Sequence, residues 1–158
     1  MAEESKTKDS INGHLLTDDH IMMAMSDIFT AGFETSSSAL RWVIAYLVWY
    51  PAIQTKAHEE VKRVVGYDRL PVLSDKCNLH YLQAVIAESL RISFVVPLSI
   101  PHKTTRNTKL AGYDIPKDTT VLFNMWAMHL DPFYWTNPEE FNPMRLVIEI
   151  KVTVLHLC

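Results

Sequence analysis

Three groups of residues in this chain are of types that could do chemistry. Ala31-Gly32-Phe33-Glu34-Thr35 sets a glycine, a carboxylate and a hydroxyl side by side inside a long apolar helical pattern. Glycine weakens a helix, and polar atoms are costly in a core. A carboxylate beside a hydroxyl is a pairing that can hold and pass a proton, and general acid catalysis is typically worth about 10²–10⁴-fold in rate. The structural alternative is a tolerated glycine and a threonine bonded back to its own turn. Glu88-Ser89-Leu90-Arg91 puts a carboxylate and a guanidinium one helical turn apart on one face. If exposed, that pair contributes only a few tenths of a kcal/mol. Its neighbours Tyr81, Leu82, Val85, Ile86 and Leu90 predict a helix covered on more than one side, and hence a buried pair. His102, after Ile100-Pro101, is a lone imidazole, of a kind that is ordinarily a surface residue or a satisfied core residue.

These side chains must be held by a domain, and the chain has the means. Its 158 residues, 48% of them hydrophobic, suit one ordinary domain with a core. A net charge of −3 with scattered Lys and Arg gives no case for nucleic acid. Cys77 and Cys158 form no CxxC pair and no framework of bridges, which favours a reduced compartment. Met1 to Ile11 is polar, without a signal core or a membrane anchor. The apolar stretch Ile21 to Tyr50 is broken by Asp27, Glu34 and Arg41, and its charge-free part from Trp42 is too short to span a bilayer. A buried, central helix is the expectation there.

Thr17-Asp18-Asp19 is a helix start, with a capping hydroxyl and two carboxylates at the positive helix end. That helix is expected to reach about Tyr50, where Pro51 stops it and opens the next. In the second helix Ile53, Ala57, Val61, Val64 and Val65 form an apolar stripe, with Lys56, Glu59, Glu60, Lys62 and Arg63 mostly outside it; Gly66 ends it. A loop follows, with a short helical turn after Ser74, and then a third amphipathic helix from Leu79 to Ile92. Two prolines make Val95 to Pro101 irregular. Thr104 to Val121 is expected to hold short strands, with turns at Ala111-Gly112-Tyr113-Asp114 and Ile115-Pro116-Lys117-Asp118. Leu122 to Leu130 is a candidate short helix, and Asp131 to Arg145 an irregular, packed segment. The divisions expected are a polar linker over 1–16, the domain over 17–145 and an atypical tail over 146–158 that alternates weakly, like a strand.

In their order and spacing these motifs resemble the cytochrome P-450 family of haem-thiolate monooxygenases. Ala31, Gly32, Glu34 and Thr35 match the oxygen-activation pattern Ala/Gly-Gly-x-Asp/Glu-Thr, and Glu88 and Arg91 match Glu-x-x-Arg. Phe141-Asn142-Pro143-Met144-Arg145-Leu146 is similar to the meander motif Phe-x-Pro-Glu-Arg-Phe, departing at Met144 and Leu146. The fold implied is mainly α with a few short β-strands, a fragment of the family fold with a long central helix, two following helices, a small sheet and the meander. The roles implied are catalytic for Thr35 and Glu34 and cofactor-binding for Ala31, Gly32 and His102, the last against a haem propionate. Glu88, Arg91 and Arg145 are implied to be a buried structural triad. Ile28, Phe29, Phe33, Val95, Val96 and Leu98 are implied to line an apolar substrate pocket.

The function implied is insertion of one oxygen atom from dioxygen into a lipophilic, steroidal substrate, with haem as cofactor and an NADPH-dependent reductase as partner, at the endoplasmic reticulum membrane. Ile100-Pro101-His102-Lys103, Leu73-Ser74-Asp75 and Trp126-Ala127-Met128-His129 favour a steroid 17-alpha-hydroxylase-like reading. Steroid 21-hydroxylase-like and aryl-hydrocarbon-hydroxylase-like readings are the alternatives within the branch, and a truncated, non-catalytic relative is the alternative outside it. The cysteine ligand loop expected after the meander is absent, so no metal ligand is assigned. Cys158, with no glycine-bearing loop around it, is a poor substitute. The chain alone is expected to be marginal in stability and inactive.

Overall fold

The computed structural model of the chain describes residues 10–11, 14–15, 17–148 and 150. It divides into two compact units, Met1–Ser37 and Ser38–Cys158. In the first, β1 (Ser10–Ile11) and β2 (His14–Leu15) pair antiparallel inside the segment expected to be a linker. Helix α1 (Asp18–Trp49) then begins where the capping signal places it. Thr17 Oγ1 accepts the N–H of His20 at 3.3 Å, and the Thr17 carbonyl accepts that of Ile21 at 3.1 Å.

One expectation fails along α1: none of its residues is buried. From Asp18 to Ser36 every side chain is exposed, and only from Ser37 onward do some become half-buried. The all-round apolar pattern was a sound sign of a helix meant to be covered, but no described neighbour covers this stretch. No described helix is long and apolar enough to cross a membrane.

The second unit is built on α2 (Pro51–Val65) and α3 (His80–Ser93), joined by a loop containing a 3-10 helix (Leu73–Asn78). Pro51 opens α2, and Gly66, at φ 82°, closes it with its N–H on the Lys62 carbonyl. Ala57 and Val65 on α2 and Tyr81, Ala84 and Val85 on α3 are buried, and the core cluster joins Ala57, Tyr81, Ala84 and Val85 to Phe141, Leu146 and Val147. Tyr46 stacks on Phe141 at 4.3 Å between ring centroids, and Tyr50 meets the same ring at 5.2 Å. Burial, then the neighbouring Tyr50, pushes the Tyr46 phenol above its ordinary pKa.

Phe94, in the left-handed region at φ 45°, ends α3. Strand β3 (His102–Lys103) pairs antiparallel with β6 (Thr120–Val121), His102 opposite Val121. Between them β4 (Thr108–Leu110) and β5 (Tyr113–Ile115) form a hairpin. Its two-residue turn, Ala111 at φ 50° and Gly112 at φ 87°, has the left-handed geometry that matches strand twist. Helix α4 (Met125–Leu130) opens on Asn124, whose Oδ1 accepts the N–H of Ala127 at 3.0 Å.

Two further expectations are corrected here. Ile86 and Leu90 are 40% and 42% exposed, so α3 is buried along one face, through Tyr81, Ala84, Val85, Glu88 and Arg91. The strand-like tail does not begin at Leu146: residues 144–148 are helical, with Leu146 and Val147 in the core. Asn142 Oδ1 accepts the Met144 N–H at 3.1 Å and starts that turn, and the spacing of Leu146, Val147 and Ile150 suits a helix face. Residues 151–158, including Cys158, lie outside the described residues.

Candidate functional site

Glu88 is completely buried on α3, and its carboxylate is surrounded by donors. Arg91, one turn on and 4% exposed, grips it with two charge-assisted bonds, Nε to Oε2 at 2.8 Å and Nη2 to Oε1 at 2.9 Å. Arg145 adds Nε to Oε1 at 3.0 Å, and the main-chain N–H of Asn142 reaches the same oxygen at 3.0 Å. The three residues expected to form a triad do meet. Each guanidinium is then spent on carbonyl oxygens: Arg91 Nη1 on His129, at the end of α4, at 2.7 Å, and Arg145 Nη1 on Thr136 at 2.6 Å and Nη2 on Asn137 and Glu140 of the meander at 3.1 Å. The Arg91 guanidinium also lies over the Trp135 ring, 4.9 Å from its centroid. Two cations and an amide balance one buried anion. The cluster thus ties α3 to the irregular segment from Asp131 to Arg145, which has little regular hydrogen bonding of its own.

In the first unit, Gly32, Glu34 and Thr35 sit on one exposed stretch of α1. A Cβ built on Gly32 would meet nothing within 4 Å, so packing within the chain does not demand a glycine there. The Thr35 hydroxyl donates to the Ala31 carbonyl at 2.7 Å, which is the back-bonded arrangement weighed as the structural alternative. Its lone pairs remain as acceptors. In the second unit His102 is exposed on β3, its ring edge-on to Phe123 at 5.4 Å.

The residues expected to line a substrate pocket are each exposed or half-buried within their own unit. Ile28, Phe29 and Phe33 are 75%, 72% and 60% exposed, and Phe29 and Phe33 stack on each other in the open. Val96 and Leu98 are 42% and 49% exposed, and Val95 is half-buried.

The sequence profile of the Cytochrome P450 family matches residues 1–147. The chain belongs to the cytochrome P450 family. It is 44% identical over 147 residues to cytochrome P450 2U1 of Rattus norvegicus, covering 93% of this chain and 28% of the relative. It is 47% identical over 134 residues to the steroid 17-alpha-hydroxylase/17,20 lyase of Squalus acanthias, covering 85% and 26%. A solved zebra fish cytochrome P450 with progesterone superposes with a TM-score of 0.80 at 44% identity, covering 87% of this chain and 32% of that one. The chain therefore spans between a quarter and a third of the length of the relatives it matches.

Members of the family bind haem iron. The described residues of this cytochrome P450 chain fit such a group in part. In the first unit Gly32 leaves the helix surface clear, and in the second the exposed His102 imidazole is of a type that donates to carboxylates. No axial thiolate is among them: Cys77 sits in the 3-10 helix that packs against α2 and α3, and Cys158 is outside the described residues.

Sequence reasoning missed several groups that hold this region. Glu60, placed outside the apolar stripe of α2, is largely buried and caps α3: its carboxylate accepts the N–H groups of Tyr81 at 3.0 Å and Leu82 at 2.9 Å. Arg69 makes two 2.7 Å bonds to Asp75, whose Oδ2 also accepts the Val72 N–H at 2.9 Å. The Arg69 guanidinium, then the Val72 amide, lowers the Asp75 carboxyl to about 2. The one available signal for Asp75 was its place three residues after Val72, at the start of a helical turn.

Proposed function

We propose that this chain is the part of a haem monooxygenase that carries the oxygen-side helix and the structural brace. The whole protein, on this reading, inserts one atom of dioxygen into a lipophilic substrate. The observation that carries it is the convergence of Arg91, Arg145 and the Asn142 amide on the buried Glu88, reached from residues singled out by the family motif. Steroid is the substrate class favoured, with 17-alpha-hydroxylation as the reaction. Support comes from the 47% identity to the Squalus acanthias enzyme and from the progesterone named for the zebra fish structure. A relative of another name, cytochrome P450 2U1, stands at 44%, so the support for the reaction is weaker than that for the chemistry. An NADPH-dependent reductase and the endoplasmic reticulum membrane belong to the same reading.

Haem, when bound, supplies the oxygen chemistry; the chain's own contribution is proton handling on α1 in the first unit and the Glu88 brace in the second. The Thr35 Oγ1 proton is directed at the Ala31 carbonyl, so the oxygen presents lone pairs outward and can accept a bond from a water or a substrate hydroxyl. To donate outward the hydroxyl must rotate away from Ala31. That carbonyl keeps its helical amide partner, so rotation costs about one net hydrogen bond, roughly 1 kcal/mol. A rotor so lightly held is suited to relaying a proton, with Glu34 as the adjacent acid. In the second unit, the Glu88 cluster holds the meander to α3, and His102 is the partner assigned to a propionate.

The test is product profiling by the longest polypeptide that the gene encodes, with an NADPH-dependent reductase and with pregnenolone, progesterone and a polycyclic aromatic as substrates. A 17-hydroxylated steroid supports the reading. A 21-hydroxylated steroid or an oxidised aromatic moves the assignment to those branches. A folded polypeptide that turns over none of them leaves the non-catalytic alternative.

A further inference from the structure

Arg91 and His129 bind each other twice. The Arg91 guanidinium donates from Nη1 to the His129 carbonyl at 2.7 Å. In return His129 Nδ1 lies 3.2 Å from the Arg91 carbonyl. A carbonyl oxygen only accepts, so His129 Nδ1 must carry a proton and donate. The exchange joins the last turn of α3 to the last turn of α4, across 38 residues of sequence. It acts at the residue whose guanidinium grips the buried Glu88.

We propose that His129 is a positioning residue for Arg91: its Nδ1–H fixes the end of α3 while its carbonyl fixes the guanidinium, so that the grip on Glu88 is set from α4. Two further contacts share the task. Trp135 lies under the guanidinium at 4.9 Å and is itself held by Nε1 donating to the Met128 carbonyl at 3.0 Å. Phe94, in its left-handed conformation directly after α3, packs its ring 6.2 Å from the His129 ring. Arg91 therefore has its charge satisfied by Glu88 and its direction satisfied by α4 and Trp135. This inference rests on the geometry of the brace and is independent of which substrate the protein oxidises.

The ring tautomer of His129 in the ¹⁵N-labelled full chain, read by long-range ¹H–¹⁵N correlation at neutral pH, tests it directly. The expected result is a proton on Nδ1; an imidazole with its only proton on Nε2 overturns the proposal. Substitutions give a second reading through the exchange of the Arg91 Nε–H with water. An asparagine places its amide nitrogen near the position of Nδ1, whereas a glutamine places it near Nε2. H129N should keep the slow exchange of the unsubstituted chain. H129Q and H129L should exchange about tenfold faster, the equivalent of one net hydrogen bond. Unchanged exchange in H129L overturns the proposal, as does failure of H129N to restore what H129L loses. If H129L does not fold, the tautomer alone decides.

Discussion

Glu60 on α2 accepts the main-chain N–H of Tyr81 at 3.0 Å, at the start of α3. The first turn of any helix leaves N–H groups without partners, and here no local side chain caps α3. A carboxylate from the neighbouring helix does so, taking Leu82 as well. One residue thereby sets both the beginning of α3 and its register against α2.

Glu60→Ala should accordingly cost about 2 kcal/mol, the range for hydrogen bonds to a charged group. Glu60→Gln, which keeps one acceptor oxygen, should cost about half as much. Urea unfolding of the full chain measures both. Equal stability of the alanine variant and its parent would show that water caps α3 equally well.

Removing one member of the Glu88 cluster leaves buried charge without a partner. Glu88→Ala, Glu88→Gln and Arg91→Ala should each destabilise the second unit by about 3–5 kcal/mol. The exposed pair Lys109 and Asp114, 3.4 Å apart at 74% and 82% side-chain exposure, is the control. Lys109→Ala should change stability by less than about 1 kcal/mol. A Glu88 variant that unfolds at the same denaturant concentration as Lys109→Ala contradicts the brace.

The Asp75 carboxyl, lowered to about 2 by Arg69 and the Val72 amide, lies below the value of about 3.9 that it has in an unfolded chain. The folded state therefore binds this proton less readily than the unfolded state. Its contribution is fully present above about pH 4 and is lost as pH falls through about 2. Asp75→Asn should lower stability at pH 6, and the difference from the parent should shrink steadily between pH 4 and pH 2. A difference that is constant across that window would falsify the assignment.

Gly32 separates architecture from activity. An added Cβ meets nothing within 4 Å, and glycine inside a helix costs about 1 kcal/mol relative to alanine. Gly32→Ala should therefore stabilise α1 in this chain, seen as a gain in helicity by circular dichroism on partial unfolding. In the whole protein the same change should reduce substrate oxidation if the bare backbone is there for approach to the oxygen site. Undiminished turnover in that variant would remove the functional reason for the glycine.

The elements were legible wherever the signal was local. Thr17-Asp18-Asp19 and Pro51 bounded α1 to within a residue, and Gly66 ended α2. The turn expected over Ala111 to Asp114 was visible at Ala111-Gly112, whereas Tyr113 and Asp114 belong to β5. Glu88 and Arg91 were findable because one helical turn separates them, and Arg145 because it sits in a recognisable meander. Glu60 and Arg69 were not, because a side chain that caps or pairs at a distance has no periodicity to betray it. The weak alternation over 146–158 invited a strand, whereas the turn started by Asn142 and the core position of Leu146 made residues 144–148 helical. Burial along α1 was misread for a different reason. Apolar periodicity reports the face a helix is fitted to hide, and says nothing of whether the covering surface is present.

That bare helix has a cellular consequence. Ile28, Phe29 and Phe33 stand on display through the middle of α1, and exposed apolar side chains of this kind are what chaperones and proteases survey. The abundance of the chain would then be governed by how soon something shelters that stretch, since quality control acts on accessible segments even when the rest of a protein holds firm. The tightly gripped carboxylate on α3 would have little say in it.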